Sequence, residues 1–515
     1  MSNHTSDADS VTDIESQQSP QLFRSVSRAS GADIFSEPEH GHGAAVLEAK
    51  DGTVMRQTSA PGTQDVEEDM YNRFTGRQKF AIVFILSFCA FLSPISSTSV
   101  LAATPEVAKE FHTTGAIINT SNAAYMVFMG FSPIVWGPMS QVFGRRPIIL
   151  NTAIVFFLMS LGTALAPNLA AFFAFRALSA FEGTSFILLG AACIGDIYRP
   201  TERGTALGWF LSGTVSGPAF GPFLGGIIVT YSSWRTIFWL QMALAGAAGI
   251  GVYFFVPETI HRKQITALAG YSRTKKAKAV ISLINPIRVI TLFKHPNQLL
   301  VAAAAAALVW NMYSLLTPIR YVINPRFHLD SPLLSGLFYL APGFGYIVGT
   351  FGGGRWADYT VKKWIKKRNG VRIPEDRLRS GLPFLGVVIP ATILIYGWSV
   401  DKAVGGIPVP VIAMFVQGVA QLFAFPSVNA YCLDVMPGRS ADVTAANYFL
   451  RYMAGCLVTG IVLPAIDSIG LGWFSTISAV ILIISAVGIW VTIQMGCAKA
   501  KGIKAPCNAN EESTR

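Results

Sequence analysis

FRALSAFEGTSFILLGAACIG (175–195), DIYRPTERG (196–204), TALGWFLSGTVSGPAFGPFLGGIIV (205–229) and YSSWRTIFW (231–239) follow one another almost without a gap, and their reading decides the fold. They form two apolar segments, each long enough to cross a bilayer as a helix, joined by a short charged loop. Arg176 sits inside the first segment, and the second is studded with glycine and proline. In lipid both features are costly unless they face protein or a watery cavity. The pair therefore points to a transport path rather than to a lipid anchor.

The remainder of the chain agrees. Of 515 residues, 51% are hydrophobic and only 13% charged, and the mean hydropathy is +0.45. That balance is too apolar for a soluble protein of this length and marks a polytopic membrane protein. The net charge of +11 does not imply a nucleic-acid partner. The basic residues gather in loops between apolar runs, and no basic stripe is interleaved with aromatics. The cysteines match neither a zinc site nor a secreted disulfide framework and read as thiols, four of them (Cys89, Cys193, Cys432 and Cys456) in or beside apolar runs. Residues 1–75 are polar and aperiodic, as expected of a disordered cytoplasmic tail without a cleavable signal. Within it, Arg24-Ser25-Val26-Ser27-Arg28-Ala29-Ser30 suits a basophilic kinase as well as it suits an unmodified tail.

Apolar runs of spanning length lie at about Lys79–Ala102, Ile117–Trp136, Pro147–Ala166, Leu169–Gly190, Ala206–Val229 and Ile237–Val256. After a basic linker come Leu299–Val322, Ser335–Gly353, Gly381–Val400, Val409–Leu433, Ala445–Ile466 and Trp473–Met495. The expected fold is an all-α polytopic membrane protein with 12 transmembrane helices in two pseudo-symmetric six-helix bundles. Residues 76–258 and 297–495 would be the bundles, 259–296 a cytoplasmic linker, and 496–515 a cytoplasmic C-terminal tail. Loops rich in Arg and Lys, such as Arg145-Arg146 and Lys362 to Arg368, alternate with loops carrying little beyond Lys109, Arg235, Arg326 and Lys402. Both termini are thereby placed in the cytoplasm.

The halves echo each other. Gly137-Pro138-Met139-Ser140-Gln141-Val142-Phe143-Gly144-Arg145-Arg146-Pro147 follows the second run, and Gly353-Gly354-Arg355-Trp356-Ala357-Asp358-Tyr359 follows the eighth. Both read as a glycine-led tight turn closing into a charged loop. Asp196-Ile197-Tyr198-Arg199-Pro200 and Asp434-Val435-Met436-Pro437-Gly438-Arg439 correspond in the same way after the fourth and tenth runs. Repeats of this kind build rocking transporters, with the substrate near the midplane.

On these residues the chain resembles the major facilitator superfamily, and within it the fungal twelve-spanner drug:proton antiporters. The Gly137 to Pro147 stretch is similar to the superfamily's signature loop, but Gln141 and Val142 stand where that loop commonly has an acidic and a basic residue. Arg145 would then pair with Asp196 or Glu202. Arg176 matches the fourth-span arginine that the resemblance ties to proton coupling. Gly213 to Pro222, with Gly225 and Gly226, resembles the antiporter motif. Ser233 to Trp239 and Pro257-Glu258-Thr259 resemble the fungal branch, and Ser335 to Gly343 and Arg372 to Leu378 are similar to the part of it that includes quinidine-resistance, dityrosine and itaconate exporters. Plasma-membrane residence follows from the resemblance alone.

The residues also speak for themselves. Gly213, Gly217, Gly221 and Gly225 recur every fourth position and form a ridge on which another helix can approach closely; Pro218 and Pro222 invite a bend. The ridge reads either as a gating seam or as plain close packing. Leaving Arg176 without a partner would cost at least ~2.5–3.5 kcal/mol. Glu182, the acidic residue placed deepest, lies six positions on and points elsewhere on the helix. It reads either as a site that takes up and releases a proton or as a structural pair with a polar neighbour. Gln241, Asn311, Gln417, Gln421, Asn429, Asn447 and Arg451 are the candidates to line a central cavity, with Tyr125, Trp310, Tyr313 and Phe423 as aromatic surface. Two arginines against one glutamate would favour an anionic substrate.

The expected activity is proton-coupled efflux of a small organic molecule, a drug, secondary metabolite or organic acid, by alternating access. A dedicated organic-anion exporter, for example of itaconate, and a transporter-like sensor without flux are the alternatives. No cofactor is expected, the proton gradient being the energy source. The partners are substrate, protons and the bilayer around a monomer. No HExxH, GxSxG, P-loop or metal cluster argues for an enzyme.

Overall fold

The computed structural model describes residues 71–198, 203–260, 286–328, 332–368, 373–435 and 440–501, with positions 263, 272, 274, 278 and 281 of the linker. Most of the two expected tails and of the linker falls outside them, as do Glu202 and the Met436 to Arg439 loop.

Local signals set where the helices begin. Thr75 accepts from the Gln78 amide while the Gln78 side chain accepts from the Thr75 amide, a capping box that starts α1 (Gly76–Thr98). One tighter turn, Ser99–Ala102, leads to the short α2 (Thr104–Glu110). Thr114 caps α3 (Gly115–Phe143). α4 (Arg145–Ala164) follows, and Asn168 caps α5 (Leu169–Ile197). α6 (Arg203–Tyr231) and α7 (Arg235–Phe255) complete the part before the linker. After it come α8 (Pro286–Ile290), α9 (Pro296–Leu316), α10 (Asn324–Arg326), α11 (Pro332–Lys367), α12 (Asp376–Pro383), α13 (Ile389–Asp401), α14 (Pro408–Asp434) and α15 (Ser440–Lys501). Gly470 leaves the helical conformation at φ 83°, so α15 has two arms. Among the described residues all regular structure is helical, and eight helices are long and apolar enough to cross a membrane.

Besides a smaller cluster around Phe172, Trp234 and Phe238, two large apolar cores occupy the molecule. One gathers Ile82, Leu86, Phe156, Phe186 and Phe210; the other gathers Leu308, Leu316, Tyr339, Ile389 and Tyr431. α6 packs along α11, and α3 along α15, so helices from before and after the linker meet directly. Phe131 and Phe449 touch edge to face at 5.3 Å, Trp209 and Phe351 at 6.0 Å.

The glycine ridge of α6 lies flat on α1. A methyl at Gly213 would collide with the Ser87 carbonyl oxygen, one at Gly217 would sit 2.8 Å from the Ile95 nitrogen, and Gly221 and Gly225 abut Thr98 and Ser99. Ser87 donates to the Trp209 and Phe210 carbonyls, and Thr98 to that of Gly217. Such polar contacts between helices contribute where lipid gives no hydrophobic drive. α6 runs unbroken through Pro218 and Pro222.

Two expectations are corrected. Gly137 does not lead a turn: α3 continues through it to Phe143, and the chain turns at Gly144, whose φ of 108° a side chain would strain. Nor does Gly353 lead a turn, since α11 runs through it to Lys367. Gly345, Gly349 and Gly353 instead form a second ridge against the backbone of α14. The reason is the same as for α6: within a bilayer, glycine serves close approach more often than turning.

Ion pairs tie each end. At the end where α1 begins, the Arg145 guanidinium reaches Asp196 at 3.2 Å and Ser140 at 2.6 Å, and the Arg145 amide donates to Glu258 at 2.8 Å. Arg146 donates to the Tyr253 carbonyl. At the opposite end Arg320 reaches Glu106 at 2.9 Å, across the two parts of the chain. Arg235 there reaches Glu110 at 2.7 Å, and the Trp234 indole also donates to Glu110. Burial would raise the Glu110 carboxyl, but these two donors and the Arg235 charge outweigh it and hold the group below its ordinary value.

Two outcomes are expected. Gly213→Ala and Gly217→Ala each destabilise by about 1–3 kcal/mol through overpacking. Gly208→Ala on the same helix meets open space and gains up to ~1 kcal/mol of helix propensity. Thermal unfolding of the detergent-purified protein ranks the three, and a neutral Gly213→Ala would refute the α1–α6 contact. A carboxyl depressed by folding stabilises above its unfolded value and loses that contribution as pH falls through its folded one. Glu110→Gln should therefore lower stability at neutral pH, with the deficit shrinking below about pH 4; a deficit independent of pH would reject the clasp.

Candidate functional site

A cavity with a water-accessible volume of about 130 Å³ lies between the two parts of the molecule. That is an order of magnitude above the ~10–15 Å³ a single water needs. Its wall takes Pro94 and Ser97 from α1, Met129 from α3, Ile187 from α5, and Leu211, Thr214 and Pro218 from α6. Facing them are Met312 and Tyr313 from α9, Tyr346 from α11, Gln421, Phe425 and Asn429 from α14, and Tyr448, Arg451 and Tyr452 from α15. The wall is apolar and aromatic with a few polar groups, as in sites for small organic molecules.

Arg451 is the charge of this cavity. It is 6% exposed and sits in an aromatic box, its guanidinium 4.0 Å from the Tyr448 ring centroid, 4.9 Å from Tyr452 and 5.2 Å from Phe425. It donates to the Tyr452 hydroxyl at 3.3 Å. Ring faces offset a cation without neutralising it, and none of the residues lining the cavity is acidic. The arrangement therefore presents a positive charge to whatever enters.

Arg176 lies apart from the cavity wall, 1% exposed. It donates to the Asn122 side-chain oxygen at 2.7 Å, and its guanidinium stands 5.1 Å from the Tyr125 ring, 5.6 Å from Phe172 and 6.0 Å from Phe238. Its Nε and Nη1 have no acceptor. Glu182, 7% exposed, is likewise off the wall, and its buried Oε2 accepts no hydrogen bond. The structure brings neither residue to the other, nor Glu182 to Arg451, as an ion pair. A buried carboxyl without a donor is costly as an anion.

The other candidates divide. Gln421 lines the cavity and anchors a small network, accepting from Gln417 at 2.6 Å and from Asn311 at 3.5 Å and donating to the Leu308 carbonyl. Gln417 and Asn311 stand behind it, each with an unpaired side-chain oxygen. Gln241 is spent on bonds to Ser96 and Ser99 that tie α7 to α1. Asn447 donates to the Cys432 sulfur, away from the wall. Asn429 and Tyr313 line the cavity; Tyr125, Trp310 and Phe423 do not. Asp358 is exposed on α11 and is not part of the wall.

Sequence reasoning missed the tyrosines around Arg451. The spacing Tyr448-x-x-Arg451-Tyr452 places two of them beside it on one helix. Glu258 was also missed as the partner of the Arg145 amide. Among the described residues no three His, Cys, Asp or Glu side chains gather as metal ligands, and Cys89, Cys193 and Cys432 are buried free thiols, with Cys456 half-buried.

Residues 86–459 match the family model of the Major Facilitator Superfamily. The chain is 26% identical to Citrate exporter 1 of Aspergillus niger, covering 89% of this chain and 94% of the relative. It is 23% identical to the MFS antiporter QDR3 of Candida albicans, covering 80% and 77%. Its fold is similar to that of the human organic anion transporter MFSD10, with a TM-score of 0.62 at 14% identity over 80% of this chain and 99% of that one. It is also similar to the xylose transporter XylE of E. coli in a partially occluded inward-open conformation, with a TM-score of 0.60 at 15% identity over 81% and 98%. A cavity walled by helices from both parts of a membrane-spanning helical chain and a family match over most of its length lead to one conclusion: this chain belongs to the Major Facilitator Superfamily and is a membrane transporter of small molecules, not an enzyme.

Proposed function

We propose that the protein exports a small organic molecule in exchange for protons by alternating access. The observation that carries this reading is the pairing of a central cavity with a separate buried carboxyl: Glu182 lies off the wall, unpaired, on a helix that also supplies Ile187 to it. A proton on Glu182 would remove the cost of its charge and let α5 move between two settings. The relatives named as an MFS antiporter and a citrate exporter support efflux.

In this reading α3, α6 and α11, at 29, 29 and 36 residues, join the eight apolar helices as spans, and α15 counts as two, divided at Gly470. Twelve spans then form bundles at 76–258 and 297–495 around the cavity, with both termini cytoplasmic, in a plasma-membrane monomer driven by the proton gradient. α3–α15 and α6–α11 are the contacts that rocking would open and close.

A second reading, a dedicated exporter of organic anions, is favoured by one observation: Arg451 is the charged residue of the cavity wall and no carboxylate faces it. Inverted vesicles with an acidic interior test both. Accumulation of substrate should depend on the gradient and be abolished by Glu182→Gln; equal accumulation without a gradient would sink proton exchange. If the substrate is a carboxylate such as citrate, Arg451→Ala should raise its KM about tenfold to a hundredfold, the loss of one charge-assisted hydrogen bond of ~1.5–3 kcal/mol. Accumulation of a cationic dye unaffected by that substitution would reject the anion reading.

A further inference from the structure

A second cavity, about 400 Å³, opens on the outside of the bundle where the end of α11, the start of α12 and the end of α15 meet. It has nothing to do with the central path. Trp356, Tyr359, Lys363, Trp364, Arg379 and Trp490 dominate its wall. The Arg379 guanidinium is held 3.9 Å over the Trp364 ring centroid, and Trp356 stacks on Tyr359 at 6.0 Å. Lys363 is exposed at its mouth.

Charge and position both bear on the occupant. Between residues 355 and 368 the chain carries six basic residues and one acidic residue, Asp358. Asp376, the buried carboxylate beside the site, contacts both Arg368 and Arg379, while Lys363 stands exposed at the mouth. Tyr359 and Trp490 are 58% and 51% exposed, as aromatics at the boundary of a bilayer are. From Trp490 an exposed apolar stripe through Val487, Ile484 and Ile477 runs back along the last arm of α15. One end of the cavity thus offers cations and indole edges, and the other continues into a surface that faces hydrocarbon.

We propose that this cavity binds an anionic phospholipid from the adjoining leaflet, its headgroup phosphate against Lys363 and Arg379 and an acyl chain along Trp490 and the stripe below it. Basic pockets between helices near the membrane surface recognise such headgroups, each cation contributing on the order of a fivefold gain in affinity. The bound lipid would bridge α11, α12 and α15 where they meet.

The test uses the full chain in phosphatidylcholine nanodiscs, titrated with brominated short-chain phosphatidylserine and read by quenching of tryptophan emission. Expected is saturable quenching, weakened about fivefold by Lys363→Gln, unchanged by Lys362→Gln on the neighbouring exposed position, and reduced in amplitude by Trp490→Phe. Equal quenching by brominated phosphatidylcholine would overturn the proposal, as would an equal loss in the two lysine variants, which would mean diffuse surface attraction. Displacement of the lipid by inorganic phosphate at the same concentration would assign the site to a free anion instead. Both lysines are exposed, and neither substitution touches the central cavity.

Discussion

The close approach of α6 to α1 underlies the rest of this molecule. In a bilayer, burying apolar side chains against each other gains little over leaving them in lipid, so helices associate through backbone proximity and polar contacts between them. Gly213, Gly217, Gly221 and Gly225 supply the proximity, and Ser87 and Thr98 supply the polar contacts, donating to carbonyls of α6. α6 is thereby fixed on one side to α1 and presents its other side to α11. Gly345, Gly349 and Gly353 repeat the device between α11 and α14. The central cavity lies among these helices, with Leu211 and Thr214 of α6, Tyr346 of α11 and Gln421 of α14 in its wall.

Two arginines within this frame are handled in different ways. Arg176 is walled in by three aromatic rings and Asn122, with two nitrogens left without acceptors. Arg451 has its aromatic box too, but one that opens on the cavity. A guanidinium over ring faces keeps its charge and loses little of its capacity to donate in its own plane. Arg451 therefore remains available to a ligand, whereas Arg176 is committed to the protein around it. Glu182 completes the set as a carboxyl with no counter-charge at hand.

How much of this was legible beforehand depended on range. The four-residue glycine period of α6 is local, and it correctly implied a close helix contact; that the contact is α1 was not readable, because a ridge does not name its partner. The same period in α11 is masked by the Gly353-Gly354 pair, which in sequence reads equally as a turn, since a glycine pair alone does not distinguish turning from packing. Arg145 with Asp196 was legible as a pairing of opposite charges at one face, while Glu258, three elements further on in the chain, was not.

The polar candidates illustrate the limit more sharply. Gln241 and Gln421 look alike in sequence, each an amide in an apolar run, yet one is consumed by Ser96 of α1 and Ser99 of the turn after it, and the other reaches the cavity. What separates them is which way each helix is rotated, and that rotation is set by ridges on its other faces. In an apolar helix buried on nearly all sides, such as α5 with Arg176, Glu182 and Ile187 within twelve positions of one another, no hydrophobic stripe marks the inward face. The facing of α5 follows from its packing against α3, α4 and α1, which is why Ile187 reaches the cavity while both of its charged residues stay behind the wall. The charge of α5 is thereby separated from the cavity: Arg176 and Glu182 occupy none of the space in which a substrate must fit.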